Sequence, residues 1–372
     1  MTIRRRRLLL AGMICTVMTC VVLWLSPRKD FEYEIIDINP SITYPSYTNL
    51  MINDNGVVAG VISLVKFKLY HVFSWDQRKG FVDLGPLCSD GSNIWIEDIN
   101  NKGQFIGSYR GTESLPEEIL AHDPLIKTQI HSFLYDPENG IREIEAMSGC
   151  FNPQVKAIND NEDVVGFCNK LTTEGKISQR VFLWNPNTGI HDPNIFGNPC
   201  DINNQGHIVG IHQIGAFFWS PEEGVKNIGR ADKCRINDSD EVAGIYSKFI
   251  SETTEGFKVF RWSQSLGFQN LDSFIFKTGT QTLPAMSWNN LGQFCLSTNN
   301  HNFVFGIQLR EQIDSFVYDT KHGKTYRRKI FDDNCSFLPD SINNNGWIIG
   351  LYRKDLHRYP AILIPKGQPE KD

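Results

Sequence analysis

A five-residue element, typified by residues 99–103 (Ile-Asn-Asn-Lys-Gly), occurs seven times in this chain and restricts the folds that it can adopt. Asn at the first corner of a tight turn can hydrogen-bond its own backbone two residues on, and Gly at the last corner accepts a positive φ. Apolar residues flank each copy, so each copy predicts a hairpin tip. The other copies begin at Ile52, Ile158, Ile202, Ile236, Trp288 and Ile342. Their spacing of 34 to 59 residues is typical of a repeat array.

Each repeat continues with the signals of three more strands. A short apolar strand that contains a glycine follows the turn, as in residues 164–166 (Val-Val-Gly). An aromatic strand such as residues 182–184 (Phe-Leu-Trp) comes next, and its two large rings lie on one face because they are two apart. A Pro–Gly turn such as residues 185–189 leads to the fourth strand. Four short strands per repeat predict one antiparallel sheet, the unit of a propeller blade.

The two ends of the repeat region complement each other. The last repeat has strands near residues 341–342, 347–351 and 361–364 but no fourth strand. Residues 35–38 (Ile-Ile-Asp-Ile) match a fourth strand and precede the first hairpin. Pairing these strands would remove the exposed edges of an open array. We therefore predict an all-β fold, a seven-bladed propeller over residues 30–366 closed by an N-terminal strand, with residues 367–372 as a tail. The divergent Trp288 repeat is expected to form the weakest blade.

The N-terminal segment has the pattern of a membrane anchor. Residues 8–25 are uncharged and almost wholly apolar, and arginines precede them at positions 4–7. A helix of this length would span about 27 Å, enough for a hydrocarbon core. The preceding arginines predict a cytoplasmic stub within residues 1–29 and a periplasmic or extracellular C-terminal domain, hence a single-pass membrane protein. A cleaved signal peptide is the alternative, but residues 22–27 lack a small-x-small cleavage site, which favours a retained signal-anchor.

The charge distribution argues against a nucleic-acid partner. Six of the 37 basic residues and none of the 42 acidic residues lie within residues 1–29, so the remainder has 31 basic residues and a net charge of −11. A domain of that sign repels phosphate.

Cysteine and aspartate spacing offers no clear metal site. The seven cysteines after the anchor include no C-x-x-C pair. Cys150 and Cys168 flank one hairpin and are the candidate disulfide in an exported domain, with free buried thiols as the alternative. A carboxylate precedes the Asn-rich turn only at Asp98 and Asp201, so turn geometry is favoured over calcium binding. We predict no cofactor and no metal.

Side chains that could act in catalysis do not form a recognisable motif. No G-x-S-x-G, H-E-x-x-H, Walker or G-x-G-x-x-G element occurs. The aromatic pairs could stack on carbohydrate, but their recurrence in every repeat favours a core between blades.

The repeat resembles the HAF repeat of extracellular repeat proteins. The likeness is strongest at residues 71–75 (His-Val-Phe-Ser-Trp) and 131–135 (His-Ser-Phe-Leu-Tyr), each of which follows an I-N-x-x-G element. Departures are Glu162 and Asp240 in place of Gly, and Trp288. The resemblance implies an exported, propeller-like domain and carries no activity.

Loops of variable length are the predicted binding surface. Both kinds of tight turn must lie at one end of a four-stranded meander, so the loops between the second and third strands and between blades share the other end. The longest loop supplies the candidate binding residues Arg110, Glu113, Glu117, Glu118, His122 and Asp123. We predict a membrane-tethered, extracytoplasmic module that binds a protein or a glycan without catalysis. The alternatives are an exported hydrolase or lyase that works at the channel mouth, and a structural subunit of an envelope assembly.

Overall fold

Short strands joined by tight turns make up almost the whole of the described chain. A computed structural model describes residues 33–38, 45–64, 69–86, 93–122, 128–251, 254–271, 276–277, 285–304, 307–319, 324–327, 335–354 and 357–366. The chain divides into two units, residues Met1–Glu34 with Pro365–Asp372, and residues Ile35–Ile364. The second unit contains all seven repeats.

The strands follow the order that the repeats predict. Strand β1 (Tyr33–Asp37) precedes the first Asn-rich turn. The first three repeats contain β2 (Pro45–Ile52), β3 (Val58–Leu64), β4 (Leu69–Asp76), β5 (Gly80–Gly85), β6 (Ile94–Ile99), β7 (Phe105–Ser114), β8 (Thr128–Asp136), β9 (Gly140–Ile144), β10 (Cys150–Ile158), β11 (Val164–Leu171), β12 (Ile177–Asn185) and β13 (Gly189–His191). A single helical turn, α1 (Glu117–Leu120), lies between β7 and β8.

The remaining repeats continue the pattern. The fourth and fifth contain β14 (Asn198–Ile202), β15 (Ile208–His212), β16 (Gly215–Ser220), β17 (Gly224–Gly229), β18 (Lys233–Ile236), β19 (Val242–Ser251), β20 (Thr254–Ser263), β21 (Gly267–Asn270) and β22 (Phe276–Lys277). The last two contain β23 (Ala285–Trp288), β24 (Gln293–Val304), β25 (Ile307–Asp319), β26 (Lys324–Arg327), β27 (Cys335–Ile342), β28 (Ile348–Lys354) and β29 (His357–Pro365).

Within the described ranges these strands form seven antiparallel sheets, one for each Asn-rich turn, which we number 1 to 7 in the order of those turns. Sheets 1 to 4 and sheet 6 each contain four consecutive strands, and sheet 5 has β22 as an additional strand beside β20. Sheet 7 has the order β1-β29-β28-β27, so the N-terminal strand supplies its fourth member. The predicted all-β propeller fold is confirmed.

The Asn-rich turns have the predicted geometry. In the third repeat the N–H of Glu162 donates to the carbonyl of Asn159, and the Asn159 side-chain oxygen accepts the N–H of Asn161 two residues on. The fourth turn residue has a positive φ in every copy, including the non-glycine residues Glu162 (68°) and Asp240 (56°). The turns therefore keep one geometry even where glycine is replaced.

The core lies between neighbouring sheets and contains the recurring aromatic side chains. Phe133 of sheet 2 is buried against Val61 and Val72 of sheet 1. Phe73 of sheet 1 is buried in a cluster with Ile349 and Ile362 of sheet 7. The interpretation of the aromatic strand as core is thus confirmed.

The predicted anchor at residues 8–25 lies outside the described residues. In the part of the chain that the structure describes, no helix is long and apolar enough to cross a bilayer.

Candidate functional site

A small polar cavity lies where the first strands of all seven sheets end. Its volume is about 170 Å³, and the Asn-rich turns contribute most of its wall. Four charged side chains from the ends of these strands also line it, namely Asp98, Asp201, Arg235 and Asp340.

The first asparagine of each turn connects that turn to its neighbour. Asn53 Nδ2 donates to the carbonyl of Asn100 at 2.9 Å, and Asn343 Nδ2 donates to the carbonyl of Asn53 at 2.9 Å. Equivalent bonds start from Asn100, Asn159, Asn203 and Asn289. At the fifth turn, Asn237 Nδ2 donates to Glu241 Oε2 at 3.1 Å. Buried amides thus hold the turns together around the cavity.

The second residue of each turn forms a ring of alternating Asp and Asn side chains. Its members are Asp54, Asn101, Asp160, Asn204, Asp238, Asn290 and Asn344. Asn101 Nδ2 donates to Asp54 Oδ2 at 2.9 Å and to Asp160 Oδ2 at 3.0 Å. Seven positions cannot alternate completely, so one junction joins two asparagines, where the Asn290 N–H donates to Asn344 Oδ1 at 2.6 Å. We name these seven residues the Asp/Asn ring.

Hydrogen bonding within the chain already occupies the carboxylates of the Asp/Asn ring. Asp54 accepts bonds from the Asn344 N–H at 2.7 Å, from Asn344 Nδ2 at 2.8 Å and from Asn101 Nδ2. Calcium prefers six to eight oxygen ligands with several free carboxylates. Turn and ring geometry therefore accounts for these side chains. Among the described residues no group of three metal-ligating side chains comes together.

Two deeper carboxylates cap backbone N–H groups of the next sheet. Asp98 Oδ2 accepts the N–H of Ile158 at 3.0 Å, and Asp201 Oδ2 accepts the N–H of Ile236 at 3.0 Å. The hydroxyl of Ser287 accepts the N–H of Ile342 at 3.1 Å in the same way. The carboxylates that precede the turns therefore join sheet 2 to sheet 3 and sheet 4 to sheet 5.

Burial changes the titration of the cavity carboxyls. It raises the pKa of Asp98 to about 7, and the negative charge of Asp201 adds to this effect while Arg235 opposes it. Burial also raises the pKa of Asp340 to about 7, although the Leu50 N–H donates to this carboxyl. Arg235 Nη1 donates to the Cys200 carbonyl at 3.0 Å and lies 3.8 Å from Asp201 Oδ1. The cavity thus holds carboxyls that gain or lose protons near neutral pH beside one arginine.

None of the predicted binding residues that the structure describes lines the cavity. Arg110 and Glu113 lie on β7, Glu117 and Glu118 on α1, and His122 just after α1. Arg110 Nη1 donates to Thr128 Oγ1 at 3.3 Å. Glu113 Oε2 lies 3.4 Å from His131 Nε2, and His131 Nδ1 lies 2.8 Å from Glu143 Oε1. Arg110 and Glu113 therefore help to order the base of the loop.

The outer part of the same loop is more open to solvent. Glu117 and Glu118 are exposed in α1. His122 is exposed and lies beside Gly175 of sheet 3, where a Cβ would be 2.9 Å from the His122 ring. The loop of sheet 2 therefore reaches the β11–β12 turn. Asp123 lies outside the described residues.

The histidines that recur at one repeat position have structural partners. His71 Nδ1 lies 2.9 Å from Asp83 Oδ2 on the fourth strand of its sheet, and His131 pairs with Glu143 in the same way. In sheet 3 an arginine takes this position, and Arg180 Nη2 lies 2.9 Å from an Asp192 oxygen. The recurrence thus marks a contact between a His or Arg of the third strand and a carboxylate on the fourth strand or directly after it.

The candidate disulfide residues are free thiols in the structure. Cys150 lies on β10 and Cys168 on β11, and both belong to one core cluster. Burial raises the pKa of Cys168 to about 12, with a further contribution from its hydrogen bond with Cys150. The two side chains are neighbours, and their oxidation remains a prediction.

Several contacts near the axis were not predicted from the sequence. Lys156 Nζ lies 2.7 Å from Glu97 Oε1 across the boundary between sheets 2 and 3. Cys200 packs against the core cluster that contains Cys234, across the boundary between sheets 4 and 5. All four residues come three positions before the first Asn of a turn, and a search for complementary pairs at that repeat position could have found them.

Comparison with known proteins gives a likeness of fold only. No protein-family model and no curated protein sequence matches the chain. Among solved structures, an acylaminoacyl peptidase from Pyrococcus horikoshii has a TM-score of 0.50 at 8% identity, with 88% of this chain and 52% of the peptidase covered. The chain thus spans about half the peptidase's length.

Two further structures cover most of this chain at lower TM-scores. A streptogramin B lyase has a TM-score of 0.47 at 11% identity, and the match covers 90% of this chain and 98% of the lyase chain. A fungal alcohol oxidase of the AA5 family, in complex with copper, has a TM-score of 0.47 at 5% identity. That match covers 90% of this chain and 76% of the oxidase chain. At such identities no activity transfers to this chain.

Proposed function

We propose that this chain is a membrane-tethered, extracytoplasmic, seven-bladed propeller of the HAF-repeat type that binds a protein or a glycan at its variable-loop end and performs no chemistry. In this proposal residues 8–25 form the anchor, and residues 30–366 lie in the periplasm or outside the cell. One observation supports it above the others: Asp98, Asp201 and Asp54 at the axis accept hydrogen bonds from the chain, whereas the loop end presents exposed side chains.

The axial cavity is poorly suited to a large ligand. Pockets for drug-sized molecules usually measure about 300–1,000 Å³, and this cavity measures about 170 Å³. Asp98, Asp201 and the carboxylates of the Asp/Asn ring already accept hydrogen bonds from the chain. A ligand would have to break bonds that connect neighbouring sheets.

The opposite end offers a mixed polar and apolar surface. Strand direction places the β7–β8 loop, the β15–β16 turn and the loop after β13 at the same end. Phe196 is 58% exposed there, with the Arg180 guanidinium 4.3 Å from its ring centroid, and Ile214 is 76% exposed. Exposed aromatic and arginine side chains are typical of interaction surfaces. Together with the acidic α1, they suit a protein or glycan ligand.

A binding experiment with matched variants tests this proposal. The full-length chain in detergent would be applied to a glycan array and to immobilised cell-envelope proteins. We expect the triple variant E117A/E118A/F196A to lose binding and the variant E138A/E223A to keep it, because Glu138 and Glu223 are exposed in Pro–Gly turns at the other end. Equal binding by both variants would contradict a role for the loop end.

The topology needs its own experiment. Protease treatment of intact cells, with and without permeabilisation of any outer membrane, should digest residues 30–372 from the outside. Protection until the inner membrane is broken would place the domain in the cytoplasm instead.

A second candidate function is an exported hydrolase or lyase at the axial cavity. The observation in its favour is that Asp98 and Asp340, whose pKa values are about 7, line the same cavity as Arg235. Carboxyls with such pKa values can serve as general acids or bases near neutral pH. Turnover of an ester, glycoside or uronide that is lost in D98N and D340N but kept in D136N would favour this function.

A further inference from the structure

Two cysteines from neighbouring sheets meet near the axis. Cys200 on β14 and Cys234 on β18 occupy the same repeat position, two residues before Ile202 and Ile236. The partly buried Cys200 packs against the core cluster that contains Cys234, and Cys234 Sγ donates to the Gly210 carbonyl at 3.9 Å. Cys234 is buried, while Cys200 is only half-buried. Cys200 is thus the more exposed residue of the pair.

The surroundings of the two thiols differ in a way that assigns them separate roles. The hydrogen bond from Cys234 lowers the pKa of Cys200 despite its burial, and the Cys234 N–H and the charge of Arg235 act in the same direction. The hydrogen bond with Cys200 and burial raise the pKa of Cys234. Because Cys200 is also the more exposed of the two and the thiolate is the nucleophile in disulfide exchange, Cys200 is the attacking thiol and Cys234 is the resolving one.

We propose that Cys200 and Cys234 form a reversible dithiol–disulfide site that links sheet 4 to sheet 5, oxidised by exchange with a small disulfide of the glutathione type. The Cys200 thiolate attacks one sulfur of that disulfide and releases the other as a thiolate. Cys234 then loses its proton and attacks the Cys200 sulfur of the mixed disulfide, which releases the second small thiol. The protein loses two electrons and two protons, and the small disulfide gains them.

The position of the bond gives the site a structural consequence. Arg235 Nη1 already joins the two sheets through the Cys200 carbonyl, as Asp201 does through the Ile236 N–H. A covalent bond at the same boundary would restrict the unfolded chain and prevent the sheets from separating. Oxidation should therefore stabilise the folded protein.

The test uses the reduced full-length chain, equilibrated over a range of oxidised to reduced glutathione ratios, then alkylated and mapped by mass spectrometry. We expect a reversible Cys200–Cys234 linked peptide in the wild type. Cys295, a buried thiol whose pKa burial raises to about 12, should remain unmodified and serves as an internal reference. The oxidised wild type should also melt at a higher temperature than the reduced wild type.

Single variants separate the two roles. In C234A, Cys200 should accumulate as a mixed disulfide with glutathione and oxidation should no longer raise the melting temperature. In C200A, Cys234 should react severalfold more slowly than Cys200 does in C234A, because Cys234 is buried and burial restricts access to its thiol. Glutathionylated Cys200 in the wild type without a Cys200–Cys234 link, or no reaction of either thiol in the folded wild type, would overturn the proposal.

Discussion

The side-chain amide of Asn343 donates a hydrogen bond to the backbone carbonyl of Asn53 at 2.9 Å, although 290 positions separate the two residues in the chain. Asn344 adds two bonds to Asp54 at the same boundary. Strand β1, which precedes the first repeat, pairs with β29 of the last repeat and completes sheet 7. The first and last repeats are thus joined both at the axis and by a shared sheet.

Asp54 provides the first prediction. Asp54 Oδ2 accepts Asn344 Nδ2 and Asn101 Nδ2, and Asp54 Oδ1 accepts the Asn344 N–H. In D54N one of these two oxygens becomes an NH₂ group, which is a donor that faces another donor. An unsatisfied buried polar group costs about 1–3 kcal/mol. We expect the free energy of unfolding, measured with urea, to fall by about that amount.

Asp76 is the matched control for this substitution. Its Oδ1 accepts the N–H groups of Arg78 and Lys79 in an exposed turn, and an asparagine oxygen can accept both. D76N should therefore change the free energy of unfolding by less than about 0.5 kcal/mol. If D54N were equally mild, the Asp/Asn ring would contribute little to stability.

The two turns without glycine should respond differently when glycine is introduced. Glu162 has a φ of 68°, and its carboxylate pairs with the exposed ammonium group of Lys102. Such an exposed ion pair contributes little to stability. E162G should stabilise the protein by about 0.5–1 kcal/mol, since the left-handed conformation costs a non-glycine residue about 1–2 kcal/mol and added chain entropy offsets part of the gain.

Asp240 adopts the same conformation, but D240G would remove contacts that its carboxylate makes with neighbouring side chains. Its Oδ1 accepts Asn203 Nδ2 at 2.8 Å and lies 2.7 Å from His207 Nδ1. The loss of these bonds should cancel the conformational gain, so D240G is expected to be neutral or destabilising. Thermal unfolding of both variants provides the comparison, and a gain in D240G as large as that in E162G would contradict it.

The glycine of the second strand is required for packing and not for its φ. A Cβ on Gly166 would lie 2.4 Å from the Gln154 carbonyl oxygen and 2.4 Å from Phe182 Cζ. G166A should cost about 1–3 kcal/mol because the core has no room for the methyl group. Gly189 has a φ of +78°, and no atom of the described residues lies within 4 Å of the place that its Cβ would take, so G189A should cost only about 1 kcal/mol. Urea unfolding of the two variants measures the difference.

The sequence predicts the turns and the strand order because both depend on local chemistry. The asparagine at the first corner and the positive φ at the last corner need no information from other repeats, as Asn159 and Glu162 show. The missing fourth strand of sheet 7 and the surplus strand β1 can be counted directly along the chain. These features account for most of the fold.

The axial site is less predictable because it depends on register and on the neighbouring sheet. The strand register shifts between Ile96 and Asp98, and again between Pro199 and Asp201. Such a bulge changes the direction of the next side chain, so spacing alone does not show what Asp98 contacts. Its partner, the Ile158 N–H, is 60 positions away. The candidate binding residues share only their position on β7 and the segment after it, so the sequence alone does not show which of them contact a ligand.

Asp340 should make stability depend on pH near neutrality. Burial raises its pKa from 3.8 to about 7, so between these values the folded state binds more protons than the unfolded state. Stability should therefore fall as the pH rises from about 4 to about 7. The D340N side chain would keep an acceptor for the Leu50 N–H without a charge. We expect D340N to lose part of this pH dependence and to be more stable than the wild type at pH 8, by roughly 1–3 kcal/mol.

Asp136 is the control for the pH experiment. Burial alone would raise the pKa of Asp136. Hydrogen bonds from the Gln104 side chain and from the N–H groups of Glu138 and Asn139 nevertheless lower this pKa overall. Its contribution to stability is lost only as the pH falls below about 4, so D136N should keep the wild-type slope between pH 5 and pH 8. Melting temperatures across this range provide the measurement, and parallel curves for D340N and the wild type would contradict the assignment.

Ile38, the residue directly after the closing strand β1, should contribute to stability through its buried side chain. Ile38 is 2% exposed, belongs to the core cluster that contains Ile349 and Ile362, and its N–H donates to the Pro360 carbonyl at 3.2 Å. I38A should lower the free energy of unfolding by about 2–5 kcal/mol, as expected for a large core side chain reduced to a methyl group. Ile35 lies on β1 itself and is 45% exposed, so I35A should change the free energy of unfolding by less than about 0.5 kcal/mol. Urea unfolding of the full chain distinguishes the two variants, and similar small losses in both would show that the N-terminal strand does not hold sheet 7 together.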